Sequence, residues 1–199
     1  MVLTDPHAAG ARSLEEVVEE ILAAGATAIQ LRDKEAGSGE LLPLARRLRD
    51  LCHARGALFL VNDRLDLALA CGADGVHVGQ DDLPAAGVRA VTPPGFVIGV
   101  SAETPELARK AQAEGADYVG CGPVWPTDSK ADAGGAIGVR GLAAVVRAVR
   151  IPVVAIGGIT PERVPELLAE GAAGVAVIRA VLAAPDPSAA VRALLRAGF

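Results

Sequence analysis

Eight times along this chain an apolar run rich in Val, Ile, Leu and Ala stops at a glycine or a polar residue and gives way to a helix-patterned segment. The runs are 1–4, 27–31, 57–61, 75–78, 96–100, 118–121, 152–156 and 174–178. Continuous rather than alternating apolar runs mark parallel strands covered on both faces. The segments between them carry helix punctuation. Ser13 and Glu16 form a capping box before a helix that closes at Gly25. Gly37-Ser38-Gly39 breaks the chain ahead of a long amphipathic helix expected over 40–55, and Pro84 and Pro161 each open a further helix. Eight strand–helix units without a linker or low-complexity segment predict a single α/β domain over 1–199, folded as a (β/α)8 barrel. The rival is a doubly wound open sheet, which would gather its polar residues at one switch point. Here they follow nearly every strand, which favours the barrel.

Composition agrees with that architecture and narrows the partners. Apolar residues make up 51% of the 199 and aromatics only 3%, so the core must be aliphatic, as in helices layered on β-branched strands. The formal net charge of -5 argues against general nucleic-acid or anionic-membrane binding, and no apolar run reaches membrane-spanning length. Cys52, Cys71 and Cys121 show no CxxC spacing and read as buried, reduced thiols, so a cytoplasmic location is expected. Assembly into a homo-oligomer stays open at this level.

The residues that end the strands carry the chemistry. In Gln30-Leu31-Arg32-Asp33-Lys34, alternation in an extended chain would project Gln30, Arg32 and Lys34 together. An amide, a guanidinium fork and an ammonium side by side suit a diphosphate, although two cations at a strand end also read as an ordinary solvated terminus. Asp63 and Asp82 follow two other strands. Taken singly, Asp63 reads rather as a helix N-cap and Asp82, with Asp81, as a turn residue. Beside a cationic fork they fit better as the carboxylates of a Mg²⁺ site, since Mg²⁺ takes one or two carboxylates and completes its shell with water and phosphate oxygens. Gly157-Gly158-Ile159-Thr160-Pro161 places small residues and backbone N–H groups before an expected helix start, a phosphate-binding arrangement that also reads as a tight turn. The longest irregular stretch, 122–138, contains Thr127, Ser129 and Lys130, and its length points to a functional loop. His77 lies in an apolar strand and reads as a packed or positioning residue, and Cys121 lacks an evident base.

Taken in order, Gln30-Leu31-Arg32-Asp33-Lys34, Asn62-Asp63, Gly79-Gln80-Asp81-Asp82, Gly99-Val100-Ser101, Gly122-Pro123-Val124-Trp125-Pro126-Thr127-Asp128-Ser129-Lys130 and Ile156-Gly157-Gly158-Ile159 resemble the thiamine phosphate synthase family almost end to end. The resemblance implies a TIM barrel that joins 4-amino-2-methyl-5-hydroxymethylpyrimidine diphosphate to 4-methyl-5-(2-phosphoethyl)thiazole and releases pyrophosphate. It also implies a dissociative mechanism in which pyrophosphate departs before the thiazole nitrogen attacks. By the same resemblance Gln30, Arg32, Lys34, Asn62, Ser101 and Lys130 would hold the pyrimidine diphosphate, and Asp63 and Asp82 would carry Mg²⁺. Thr127, Ser129, Gly158, Ile178 and position 179 would surround the thiazole phosphate. Arg32, Lys34, Ser101 and Lys130 would be the catalytic set. Two positions depart from the family pattern: Glu103 stands where Ser-x-His-Thr is usual, and Arg179 where a serine is common. The alternatives are the sister thiazole tautomerase, which uses a histidine after the sixth strand where this chain has Pro123, and a non-catalytic phosphate-binding barrel.

Overall fold

The computed structural model describes residues 1–8, 10, 12–127 and 135–198. Its eight strands are parallel and run in sequence order: β1 (Val2–Leu3), β2 (Ala28–Leu31), β3 (Leu58–Asn62), β4 (Gly75–Val78), β5 (Val97–Ser101), β6 (Tyr118–Cys121), β7 (Val153–Ile156) and β8 (Gly174–Ala176). Val2 bridges in parallel to Val177, just past β8. Helices α1 (Leu14–Ala23), α2 (Ser38–Ala54), α3 (Leu65–Cys71), α4 (Ala85–Val91), α5 (Pro105–Ala113), α6 (Gly138–Ala148), α7 (Val164–Ala169), α8 (Arg179–Leu182) and α9 (Pro187–Arg196) follow the strands in turn. This is the strand order and alternation of a (β/α)8 barrel. The chain divides into two compact units, one of Met1–Val76 with Val177–Ala197 and the other of His77–Ala176.

In the first unit the register sets Leu3 beside Gln30, and Gln30 and Leu31 beside Leu60 and Val61. Ile29, Phe59, Leu60 and Val61 are buried, and each such side chain contributes roughly 1.5–3 kcal/mol of burial. Helix α1 forms because Val17, Val18, Ile21 and Leu22 make one buried stripe. Both bonds of its Ser13–Glu16 capping box are present, at 3.2 and 3.3 Å. Helix α2 starts at Ser38, inside the expected Gly37-Ser38-Gly39 break, because Gly37 takes the extended conformation of an N-cap and the glycine at 39 is carried as part of the first turn.

In the second unit Gly99 lies beside Tyr118, Ser101 beside Gly120, and Cys121 beside Ala155. The last strand is shorter than its apolar run. It ends at Ala176, and Ile178 becomes the residue that opens α8. The helix expected from Pro161 begins instead as a single 3₁₀ turn, Pro161–Arg163, before α7. Cys52, Cys71 and Cys121 are free and buried, and burial pushes the Cys52 and Cys121 thiols up to about 12. Among the described residues no helix is long and apolar enough to cross a membrane.

Candidate active site

In the first unit the residues that end the strands are fastened to one another before any ligand is considered. Thr4, just past β1, accepts the Arg32 N–H through its hydroxyl oxygen at 2.8 Å and donates back to the Arg32 carbonyl at 3.1 Å. Its own N–H donates to the Gln30 carbonyl at 2.9 Å. This clasp carries the extended backbone one residue beyond the ladder and fixes where Arg32 points. Arg32 is buried, yet among the described residues it pairs with no carboxylate. A buried cation without a counter-charge is costly unless an anion arrives to balance it. Gln30 is 2% exposed; its Nε2 meets the Met1 sulfur at 3.5 Å, and its Oε1 has no hydrogen-bond partner among the described residues. The expected alternation does not reach Lys34. Asp33 Oδ1 accepts the N–H groups of Glu35 and Ala36 at 2.9 and 3.0 Å, which bends the chain away, and Lys34 is exposed.

Past β3 the backbone tightens again. Asp63 has φ of 62°, a left-handed value found at no other described residue except glycine. The Arg64 N–H donates to the Asn62 carbonyl at 2.7 Å, closing a three-residue turn around Asp63 of the rarer, strained hand. Asp63 is therefore not a helix N-cap: Arg64 occupies that position for α3. Arg64 also braces the turn from outside, donating to the Ala36 carbonyl at 3.4 Å and to the Ser38 hydroxyl. Ser38 in turn donates to Asp66 at 2.6 Å, and this bond holds the Asp66 carboxyl below its usual range. Asn62 is buried beside the turn.

In the second unit Asp82 accepts the Gly79 N–H at 2.7 Å, the turn role foreseen as its alternative, so one carboxylate oxygen is already engaged. Ser101 ends β5; its hydroxyl lies 2.9 Å from His77 Nε2 and its carbonyl accepts from Gln80. Thr104 caps α5 through Leu107 N–H at 3.3 Å, which leaves Glu103, in the place of the family histidine, exposed just ahead of the cap.

The Gly157-Gly158 pair is required by contact as well as by conformation. Both have positive φ, 95° and 65°; a Cβ on Gly157 would lie 2.5 Å from the Pro123 side chain, and one on Gly158 2.7 Å from the Trp125 Cβ. The 122–127 segment is laid along this turn by Val124 N–H to the Ile156 carbonyl and Trp125 N–H to the Gly157 carbonyl, at 2.9 and 3.1 Å. Arg163 completes it, stacking 4.6 Å from the Trp125 ring centroid while donating to the Gly158 carbonyl. Because a 3₁₀ turn and a six-residue helix follow, the expected helix-dipole contribution is weak. Thr127 is half-buried, Ile178 is buried and Arg179 is exposed at the start of α8. Ser129 and Lys130 lie outside the described residues. Sequence reasoning missed Thr4, Arg64 and Arg163. The only trace of Thr4 was a hydroxyl residue at the end of a strand ahead of Asp5-Pro6.

The family model described as thiamine monophosphate synthase matches residues 1–181. The chain belongs to this family. A thiamine-phosphate synthase of Moorella thermoacetica is 52% identical over 185 residues, covering 93% of this chain and 88% of the relative. The thiamine-phosphate synthase of Roseiflexus castenholzii is 50% identical over 193 residues, covering 97% and 85%. Among solved structures, the thiamine phosphate pyrophosphorylase from Pyrococcus furiosus superposes with a TM-score of 0.89 at 42% identity, covering 98% of this chain and 93% of that one. As a thiamine monophosphate synthase family member, the chain carries the (β/α)8 barrel that its strand order displays.

Proposed function

We infer that the chain is a thiamine-phosphate synthase, a transferase of thiamine biosynthesis. It would join 4-amino-2-methyl-5-hydroxymethylpyrimidine diphosphate to 4-methyl-5-(2-phosphoethyl)thiazole with loss of pyrophosphate. The observation that carries this reading furthest is Arg32, a buried cation positioned by Thr4 and paired with no carboxylate among the described residues, in a chain whose relatives bear that name. An anionic substrate supplies the missing counter-charge.

Arg32 and Lys34 then take the diphosphate, with Gln30, Asn62 and the Ser101 hydroxyl as polar contacts. Lys130 joins this set on the strength of the family resemblance. Thr127, Ser129, Gly158, Ile178 and Arg179 are assigned to the thiazole phosphate on the same ground. The donor chemistry fits Mg²⁺. Asp63 and Asp82 would offer it hard oxygen ligands, and phosphate oxygens and water would complete the shell. When bound, Mg²⁺ supplies charge neutralisation to the departing pyrophosphate. Arg32, held in place by Thr4, and the exposed Lys34 act on the same charge, which is electrostatic stabilisation without a covalent intermediate. The three free, buried cysteines support a cytoplasmic location for this chemistry.

Release of pyrophosphate that requires both substrates and Mg²⁺ tests the reading. A sister tautomerase would convert its thiazole without releasing pyrophosphate, and a binding barrel would turn over neither substrate.

A further inference from the structure

His7 and His53 are exposed, whereas His77 is 7% exposed, within the apolar run of β4. Both of its ring nitrogens are engaged. Nδ1 lies 2.9 Å from the Tyr118 hydroxyl on β6, and Nε2 lies 2.9 Å from the Ser101 hydroxyl on β5. The His77 and Tyr118 rings sit 5.5 Å apart, tilted by 37°. Two glycines inside strands make the space. A Cβ on Gly99 would overlap the Tyr118 ring, and one on Gly120 would come within 2.8 Å of His77 Cε1. Glycine inside a strand weakens it, so the sheet gives up local stability to seat three polar groups in line.

A neutral imidazole offers one donor and one acceptor, so the two hydroxyls cannot play the same part. The phenol is the stronger acid and is the better donor to the bare ring nitrogen. With the Tyr118 O–H donating to Nδ1, Nε2–H donates to the Ser101 oxygen, and the Ser101 proton is turned away from the histidine. With the opposite tautomer Ser101 would spend its proton on Nε2 and present only lone pairs, which repel a phosphate oxygen. We propose that Tyr118 and His77 form a relay that holds the Ser101 hydroxyl as a hydrogen-bond donor to an anionic oxygen of the pyrimidine diphosphate. The proposal rests on the functional reading above for its ligand. His77 and Tyr118 are positioning residues in it. Ser101 is the group that meets the substrate, and Gln80 steadies its backbone through the Ser101 carbonyl.

Tyr118→Phe keeps the ring and deletes the donor. It is expected to lower kcat/KM for the pyrimidine diphosphate about tenfold, the size of one well-formed hydrogen bond, and to leave the KM for the thiazole phosphate unchanged. The double variant Ser101→Ala, Tyr118→Phe should be no slower than Ser101→Ala alone, because the relay acts only through that hydroxyl. Nitrogen-15 NMR of the wild-type imidazole should place the proton on Nε2. A proton on Nδ1, or losses that multiply in the double variant, would overturn the relay. If the phenylalanine variant does not fold, the wild-type tautomer decides. If the wild type releases no pyrophosphate from its two substrates, the functional reading fails and inorganic pyrophosphate becomes the probe. Weaker binding by Ser101→Ala and Tyr118→Phe then supports the relay, and unchanged binding removes it.

Discussion

Asp74 and Asp117 stand at the starts of β4 and β6, Asp63 just past the end of β3, and the two kinds of aspartate are held in opposite ways. Asp74 accepts the Phe59 N–H at 2.7 Å and meets His53 Nε2 at 3.0 Å; its own N–H reaches the Phe59 carbonyl at 2.9 Å. Asp117 repeats the pattern in the other unit, accepting the Ile98 N–H at 2.7 Å, pairing with Arg89 at 2.6 Å and donating its N–H to the Ile98 carbonyl at 2.8 Å. At strand starts, then, carboxylates are used as extra rungs of the ladder. Asp63 is bent into a left-handed turn that costs of order 1–3 kcal/mol, closed by the Arg64 N–H on the Asn62 carbonyl. The contrast sets carboxylates that extend the ladder at strand starts against one held in a strained turn past a strand end, the end of a parallel-barrel strand where functional residues usually gather.

The largest effect should come from the strained partner. Asp63→Asn keeps a side chain that tolerates the left-handed conformation but removes the charge. Mg²⁺-dependent turnover should fall by roughly a thousandfold or more while the melting temperature stays within about a degree or two of wild type. Near-normal turnover in the folded variant would take Asp63 out of the mechanism. Asp117→Ala should do the reverse, leaving the Ile98 N–H unsatisfied and costing about 1–3 kcal/mol in denaturant unfolding with kcat little changed. Asp74→Ala is its counterpart in the other unit. If residues 1–199 are one cooperative domain, both substitutions shift the same single transition; two separable transitions would divide the chain.

Asp82 mixes the two roles, since one oxygen already holds the Gly79 N–H. Asp82→Ala is expected to lose stability by about 1 kcal/mol as well as activity, and Asp82→Asn to recover much of the stability but not the activity. Equal activity in the two variants and wild type would leave Asp82 as a turn residue only. The smallest effect belongs to Arg179, the exposed counterpart of buried Arg32. Because solvent screens it, Arg179→Ser should raise the KM for the thiazole phosphate only about threefold to tenfold and leave that for the pyrimidine diphosphate in place. An unmoved thiazole constant would assign Arg179 to the surface of α8.

The barrel was legible because its signal is repeated: eight aliphatic runs with helix punctuation between them leave few other folds, and the errors are confined to their ends. Those ends slipped where side chains overrode pattern. Asp33 captured two N–H groups and ended the alternation that was to include Lys34, and the short β8 left Ile178 as the N-cap of α8 and Arg179 as its first residue. The identity of the phosphate-facing residues was legible as residue types at strand ends. Their support was not. The Thr4 hydroxyl reaches the Arg32 backbone across 28 positions and Arg64 reaches the Ser38 side chain across 26, and no local pattern encodes a contact between groups that far apart in sequence. The conformation of Asp63 was equally hidden, because an aspartate after a strand and before a helix looks like a cap until its φ is known.

The glycines behind His77 and Tyr118 bear on how such a chain can drift. Every single-base change in a glycine codon that alters the residue without ending translation adds at least a Cβ. At Gly99 that atom overlaps the Tyr118 ring, and at Gly120 it presses on the His77 ring. Overpacking of this kind is penalised whatever the new side chain's polarity. Substitution is therefore ordered in time: Tyr118 must shrink before position 99 is free to change, and His77 before position 120. A history written the other way round would pass through a chain whose fifth and sixth strands no longer fit together.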